Sequence, residues 1–173
     1  MKNYSEFLAE QTTIDESSLS RVSAMMSTHD AGIMTAWRVG EDCGKGKPIT
    51  RSENESRNRE LLATLKSRGY GVTTVRGTWA PPTGKISKED SYIIIDLKDS
   101  GKLERDIVNL GIKYEQDSVI FKPKGERAVL ITTNSCDGRI GDRSVAGNPK
   151  FGYDGEFRTQ VGGRNFVFEE IEK

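Results

Sequence analysis

Ser91-Tyr92-Ile93-Ile94-Ile95-Asp96-Leu97 is the stretch from which the fold is read. Three consecutive isoleucines favour an extended chain, because branching at Cβ packs better on a pleated strand than on a helix. Side chains alternate between the two faces of a strand, so Ile94 serves one face while Ile93 and Ile95 serve the other. Both faces are apolar, and both need a cover. After the strand, Leu103, Ile107, Val108 and Leu110 recur at helical spacing over Gly101 to Tyr114. Before it, Tyr70 to Gly77 alternates and is rich in strand formers, and Pro81-Pro82-Thr83-Gly84 makes a loop between the two strands.

Further upstream, Ser52-Glu53-Asn54-Glu55 leads into a helix from Arg57 to Arg68, with Leu61, Leu62 and Leu65 on one side and Gly69 as the stop. Gly32 to Arg38 reads as a first strand, followed by a loop from Gly40 to Thr50. Ser118 to Phe121 and Ala128 to Thr132 are two more short strands with Gly125 in the turn between them. The order β-α-β-β-α-β-β predicts an α+β fold, a ferredoxin-like split βαβ antiparallel sheet with both helices on one face. Subunit association is the simplest cover for the other face, and an N-terminal helix is the alternative.

That helix is read over Glu16 to Ser27, with Asp15 or Ser17 as its cap. Residues 1–31 are expected to form an N-terminal helical arm that carries two basic side chains against five acidic ones, and residues 32–173 a single domain. Residues 134–165 hold seven glycines and are expected to be a Gly-rich C-terminal excursion, closed by a last strand at Phe166-Val167-Phe168.

Composition removes several classes of function. Lys plus Arg and Asp plus Glu number 26 each, so no bulk positive field draws nucleic acid non-specifically. No apolar run approaches the ~18 residues that span a bilayer, and the start MKNYSEFLAEQ has no secretory apolar region; a soluble cytoplasmic protein is expected. His29 is the sole histidine, and Cys43 and Cys136 lack CxxC spacing, which disfavours a zinc site or a histidine-based triad. No metal and no cofactor are expected. Chemistry must then run on carboxylates, hydroxyls, backbone groups or the substrate itself.

Among the candidates, Gly44-Lys45-Gly46-Lys47 lacks the spacing of a phosphate loop and reads as a solvated loop. Glu89-Asp90-Ser91 precedes the apolar strand, where paired carboxylates can hold an ammonium group beside low-dielectric surroundings. Arg57, Asn58 and Arg59 can bind a carboxylate or form a solvated helix face. Trp79 can stack on a planar base or cap the core. Cys136 has no neighbouring histidine to activate it.

Thr35-Ala36-Trp37-Arg38, the helix from Glu53 to Arg68 ending in Gly69-Tyr70-Gly71-Val72, Gly77-Thr78-Trp79, Glu89-Asp90-Ser91 and Glu115 to Val119 together resemble the phage S-adenosylmethionine lyases. Ala128 to Thr132, Asp137-Gly138 and Gly155 to Phe168 extend the likeness, which also reaches an uncharacterised bacterial and phage family. The resemblance implies a ferredoxin-like, PII-like homotrimer with S-adenosylmethionine bound between subunits. In such enzymes the substrate's own carboxylate attacks its γ-carbon, releasing methylthioadenosine and leaving homoserine lactone, with neither histidine nor metal. It implies Glu89 as the catalytic carboxylate that orients the substrate ammonium or a water. Thr35, Arg38, Tyr70, Gly71, Trp79 and Ser91 are implied as substrate-binding, with Trp79 standing where the family has a tyrosine. The role implied is phage anti-restriction by depletion of the methyl donor. The alternative is a non-catalytic protein of the same fold that binds a ligand or partner and acts on a host defence protein, with the acidic arm and the Gly-rich segment wrapping it.

Overall fold

A computed structural model describes residues 20–38, 49–79, 87–135, 138–151, 157–161 and 164–168, with the side chains of 77–79, 87–89, 149–151, 157–161 and 164–168 left aside. The first helix, α1, covers 20–28. It is followed by β1 (Ala31–Met34), α2 (Arg51–Ser67), β2 (Gly71–Trp79), β3 (Ser87–Ile95), α3 (Leu103–Lys113), β4 (Ser118–Lys122) and β5 (Ala128–Thr132). The chain ends in β6 (Arg143–Gly147), β7 (Pro149–Phe151), β8 (Phe157–Val161) and β9 (Arg164–Phe168).

One nine-stranded sheet runs in the order β6-β5-β4-β1-β3-β2-β8-β9-β7, with every neighbouring pair antiparallel. Its centre, β4-β1-β3-β2, is the order that a split βαβ connection produces, so the ferredoxin-like expectation holds. β3 is the spine: Ile94 lies opposite Gly32 of β1 and Val72 of β2, and Ile93 opposite Ile33 and Thr73.

The two faces of β3 feed two separate cores. Ile94 and Tyr92 pack with Leu61 and Leu65 of α2 and with Leu103, Ile107 and Leu110 of α3. Ile93 and Ile95 pack with Val75, Ala128, Ala146 and the Val22 and Met26 side chains of α1. The second face, for which subunit association was the simplest expected cover, is therefore packed by a helix of the same chain. Of that helix residues 20–28 are described, and its expected start at Glu16 lies outside the described residues.

α2 begins earlier than its leucines suggest. Thr50 caps it by accepting from the Glu53 amide at 3.1 Å, so the polar turn Arg51 to Ser56 is already helical. Both long helices end in the same turn. In α2, the Gly69 amide bonds to Lys66 O and the Tyr70 amide to Leu65 O; in α3, the Glu115 amide bonds to Ile112 O and the Gln116 amide to Gly111 O. This is the Schellman arrangement, which needs a left-handed residue. Gly69 supplies it at φ 86°, but Glu115 supplies it at φ 56° despite its side chain.

The Gly-rich span 134–165 is not wholly irregular, since β6, β7 and β8 fall within it. β6 and β7 occupy opposite edges of the sheet yet are separated by Asn148 alone. Eight strand spacings across a flat sheet would part them by roughly 38 Å, whereas two virtual bonds reach only about 7.6 Å. The sheet must curl until its edges meet. Ala146 of β6 packs in one cluster with Val22 and Met26 of α1, so the β6 edge bends toward the α1 side.

Candidate functional site

Beyond Met34, β1 leaves the ladder and continues as the extended segment Thr35 to Arg38. Backbone groups without a strand partner must be satisfied in another way, and here side chains do so at every position from Ala36 to Arg38. The Ala36 amide donates to Asn58 Oδ1 at 2.9 Å, and Ala36 O accepts from Arg57 Nε at 2.8 Å. The Trp37 amide donates to Thr35 Oγ1 at 3.1 Å, and Trp37 O accepts from Gln116 Nε2 at 3.1 Å. Asn54 closes both groups of Arg38, accepting from its amide at 2.9 Å and donating to its carbonyl at 2.8 Å. Asn54 and Asn58 are buried and continue the stripe of Leu61 and Leu65 along α2.

The Thr35 hydroxyl donates to Asp90 O at 2.8 Å, with a longer contact of 3.3 Å to Asn58 Oδ1. Its one proton is committed and it accepts from Trp37, so toward a ligand it can act only as an acceptor. Asn58 Nδ2 also donates to Asp90 O, at 3.0 Å. Thr35, Asp90 and the half-buried Ser91 thus meet midway along β3, where its pairing with β1 ends. Arg38 is also held: its buried side chain reaches Glu115 Oε2 at 3.2 Å. The Asp90 carboxylate lies 3.7 Å from Arg76 Nε. The Tyr92 phenol donates to Asn58 O at 3.1 Å, and burial followed by the Asp90 charge pushes its pKa up.

Glu89 stands opposite Gly77, and Trp79 opposite Ser87, further out along the β2–β3 ribbon. Their side chains lie outside the described residues, as do the Gly44 to Lys47 run, Pro81-Pro82 and both cysteines.

Tyr70 and Gly71 lie elsewhere. Gly71 pairs with Ile95, four strand positions or about 13 Å from Ser91. The buried Tyr70 hydroxyl donates to Asp106 Oδ2 at 2.5 Å, and burial, then that carboxylate, raises its pKa. A Cβ on Gly71 would sit 2.8 Å from Leu97 Cδ1, so close packing accounts for this glycine. Within one subunit the structure brings Thr35 to the Asp90 carbonyl, next to Ser91 and Glu89 on the β3 backbone, ties Arg38 to Asn54 and Glu115, and leaves Tyr70 and Gly71 at the Ile95 end of β3. His29 is also remote, its Nδ1 2.9 Å from Asp99 Oδ1 beside the start of β1.

Arg57 is neither a free carboxylate binder nor a solvated face, because its guanidinium is spent on Ala36 O and, at 2.5 Å, Tyr114 O. The site residues that sequence reasoning missed are Asn54 and the buried framing role of Asn58 and Gln116. Their signal was spacing: asparagines at 54 and 58 run in register with leucines at 61 and 65. Among the described residues no group of three or more His, Cys, Asp or Glu side chains could hold a metal, and no helix is long and apolar enough to cross a membrane.

Comparison with curated proteins gives no match. Among solved structures, a phage SAM lyase in complex with S-methyl-5'-thioadenosine is similar at 22% identity and TM-score 0.33, over 70% of this chain and 91% of that one. A phage SAM lyase in the apo state is similar at 22% identity and TM-score 0.31, over 71% of this chain and 91% of that one. The sequence model of the S-adenosylmethionine lyase family matches residues 44–168, which include every element from α2 to β9. With most of its length accounted for in this way, the chain belongs to the S-adenosylmethionine lyase family.

Proposed function

We propose that the protein cleaves S-adenosylmethionine to methylthioadenosine and homoserine lactone. The family match over residues 44–168 carries this reading. A substrate carboxylate oxygen forms a bond to the γ-carbon as the bond from that carbon to sulfur breaks. The electron pair leaves with sulfur, which becomes a neutral thioether, so no proton need be moved in the bond-breaking step. What remains for the protein is to fold the methionine portion into a near-attack geometry and exclude water.

Glu89 orients the substrate ammonium, directly or through a water. Thr35 fits beside it, since an acceptor-only hydroxyl suits a cationic donor. Ser91, Arg38 and Trp79 complete the contacts, Arg38 being held in place by Glu115. A homotrimer with the site completed between subunits accompanies the family reading, and Tyr70, buried against Asp106, and Gly71, packed on Leu97, would then be structural. The consequence for a phage would be loss of the methyl donor on which restriction systems depend.

Chromatography of S-adenosylmethionine incubated with purified protein tests the activity. Methylthioadenosine and homoserine lactone are expected in equal amounts, and formation no faster than spontaneous decay would refute the proposal. Glu89→Gln is expected to lower turnover about 100-fold or more with little change in the melting curve. Light scattering tests the trimer.

A further inference from the structure

We propose that Asn58 is a positioning residue, a side-chain wedge that holds β1 and β3 apart beside Glu89. The inference rests on the lyase reading. The β1–β3 ladder pairs Gly32 with Ile94, Ile33 with Ile93 and Met34 with Tyr92. Continued by two residues, the same register sets Ala36 opposite Asp90. There the ladder stops. Asn58 Oδ1 instead takes the Ala36 amide at 2.9 Å, and Asn58 Nδ2 gives to Asp90 O at 3.0 Å. A primary amide carries the same donor and acceptor as a peptide unit, so it replaces a rung while separating the two strands that would share one.

Asn58 is fixed through both its side chain and its main-chain carbonyl. Thr35 Oγ1 reaches both Asp90 O and Asn58 Oδ1, at 2.8 and 3.3 Å, and Tyr92 holds the Asn58 carbonyl at 3.1 Å. The residue is 4% exposed, and a buried network satisfied in this way specifies one geometry. Asp90 is the residue after Glu89, so the wedge sets the backbone that carries Glu89 relative to the Thr35 hydroxyl. An ordinary ladder would close the strands at the point where a ligand must enter.

The test uses Asn58→Asp and Asn58→Ser in the full chain, each compared with wild type at the same pH for turnover, S-adenosylmethionine affinity by calorimetry, and melting. At about pH 8 an aspartate there is acceptor-only and leaves Asp90 O with the Thr35 hydroxyl as its remaining donor; protonated, it regains the pattern of the amide, and burial raises the pH at which it does so. The charged groups of the elements that meet there are common to variant and wild type: Arg57 on two carbonyls, Arg38 on Glu115 and Asp90 by Arg76. For Asn58→Asp we expect kcat lower by about 10- to 100-fold at pH 8, affinity within about threefold, and recovery toward the wild-type rate near pH 6. Asn58→Ser should lose turnover at both pH values, with no recovery. Unchanged turnover in both variants overturns the wedge. So does a fall in turnover, affinity and melting temperature together at both pH values, or failure of both variants to fold, because a merely structural residue behaves in that way. Absence of wild-type turnover overturns the lyase reading itself, and the wedge with it.

Discussion

α2 and α3 finish in the same hydrogen-bonded turn and put it to different use. At the end of α2 the left-handed residue is Gly69, which carries no side-chain penalty, and the next residue, Tyr70, buries its ring and bonds to Asp106. At the end of α3 the left-handed residue is Glu115, which any helix designer would replace by glycine. Its carboxylate meets Arg38, and the next residue, Gln116, holds the Trp37 carbonyl. The relaxed turn belongs to the core and the strained one to the candidate site, which suggests that the strain is tolerated because Glu115 and Gln116 fix the segment after β1.

Four substitutions test that contrast. Gln116→Ala should have the largest effect, about 2–3 kcal/mol of stability by urea unfolding, because it strips a donor from both Trp37 O and Tyr114 O. A loss below about 0.5 kcal/mol would show that water replaces the amide and that the segment is not clamped. Gly69→Ala should cost about 1–2 kcal/mol from backbone conformation alone, since the nearest obstacle to its Cβ is the flexible end of Lys98.

Tyr70→Phe should cost about 1 kcal/mol at neutral pH and should also flatten the alkaline limb of stability. The sign follows from the raised pKa of Tyr70. Below the unfolded value of about 10 the phenol is protonated in both states; above it the unfolded chain ionises while the folded one keeps its proton, so stability falls as pH rises. Tyr92 and Tyr114 act in the same direction, whereas Lys122, lowered by burial, acts oppositely, and all three are shared by wild type and variant. Identical alkaline slopes in thermal melts at pH 9–11 would remove Tyr70 from this account. Glu115→Gly should have the smallest effect on stability, within about 0.5 kcal/mol, because relief of the backbone offsets a half-exposed ion pair. Its consequence should appear in KM, which rises if Arg38 binds substrate and does not change if Arg38 is only structural.

The central sheet was legible because it rests on alternation: Ile93, Ile94 and Ile95 state that two faces are buried, and both are. The identity of the second cover was open, since the short apolar set Val22, Met25 and Met26 specifies burial but not which surface receives it. β6 and β8 escaped because Arg143-Ser144-Val145-Ala146-Gly147 and Phe157 to Val161 are dominated by polar and small residues, and peripheral strands need little apolar content. At the candidate site, Thr35 and Arg38 were named by resemblance, yet the groups that fix them did not stand out. Asn54, Asn58 and Gln116 sit in charged surroundings in the sequence, and a buried amide differs from a solvated one only by the unpaired backbone it meets in three dimensions.

The single residue between β6 and β7 also bears on how the protein is made. Chain emerges from the ribosome amino end first, so everything through Gly147, including both long helices and six contiguous strands, can assemble while the strands that follow are still inside the exit tunnel. Asn148 then commits the following segment to cross from one margin of the sheet to the other, and closure is left to β7, β8 and β9. A ribosome that still encloses the strands after Gly147 should therefore display an open half-product already holding Thr35 and Asn58 in place.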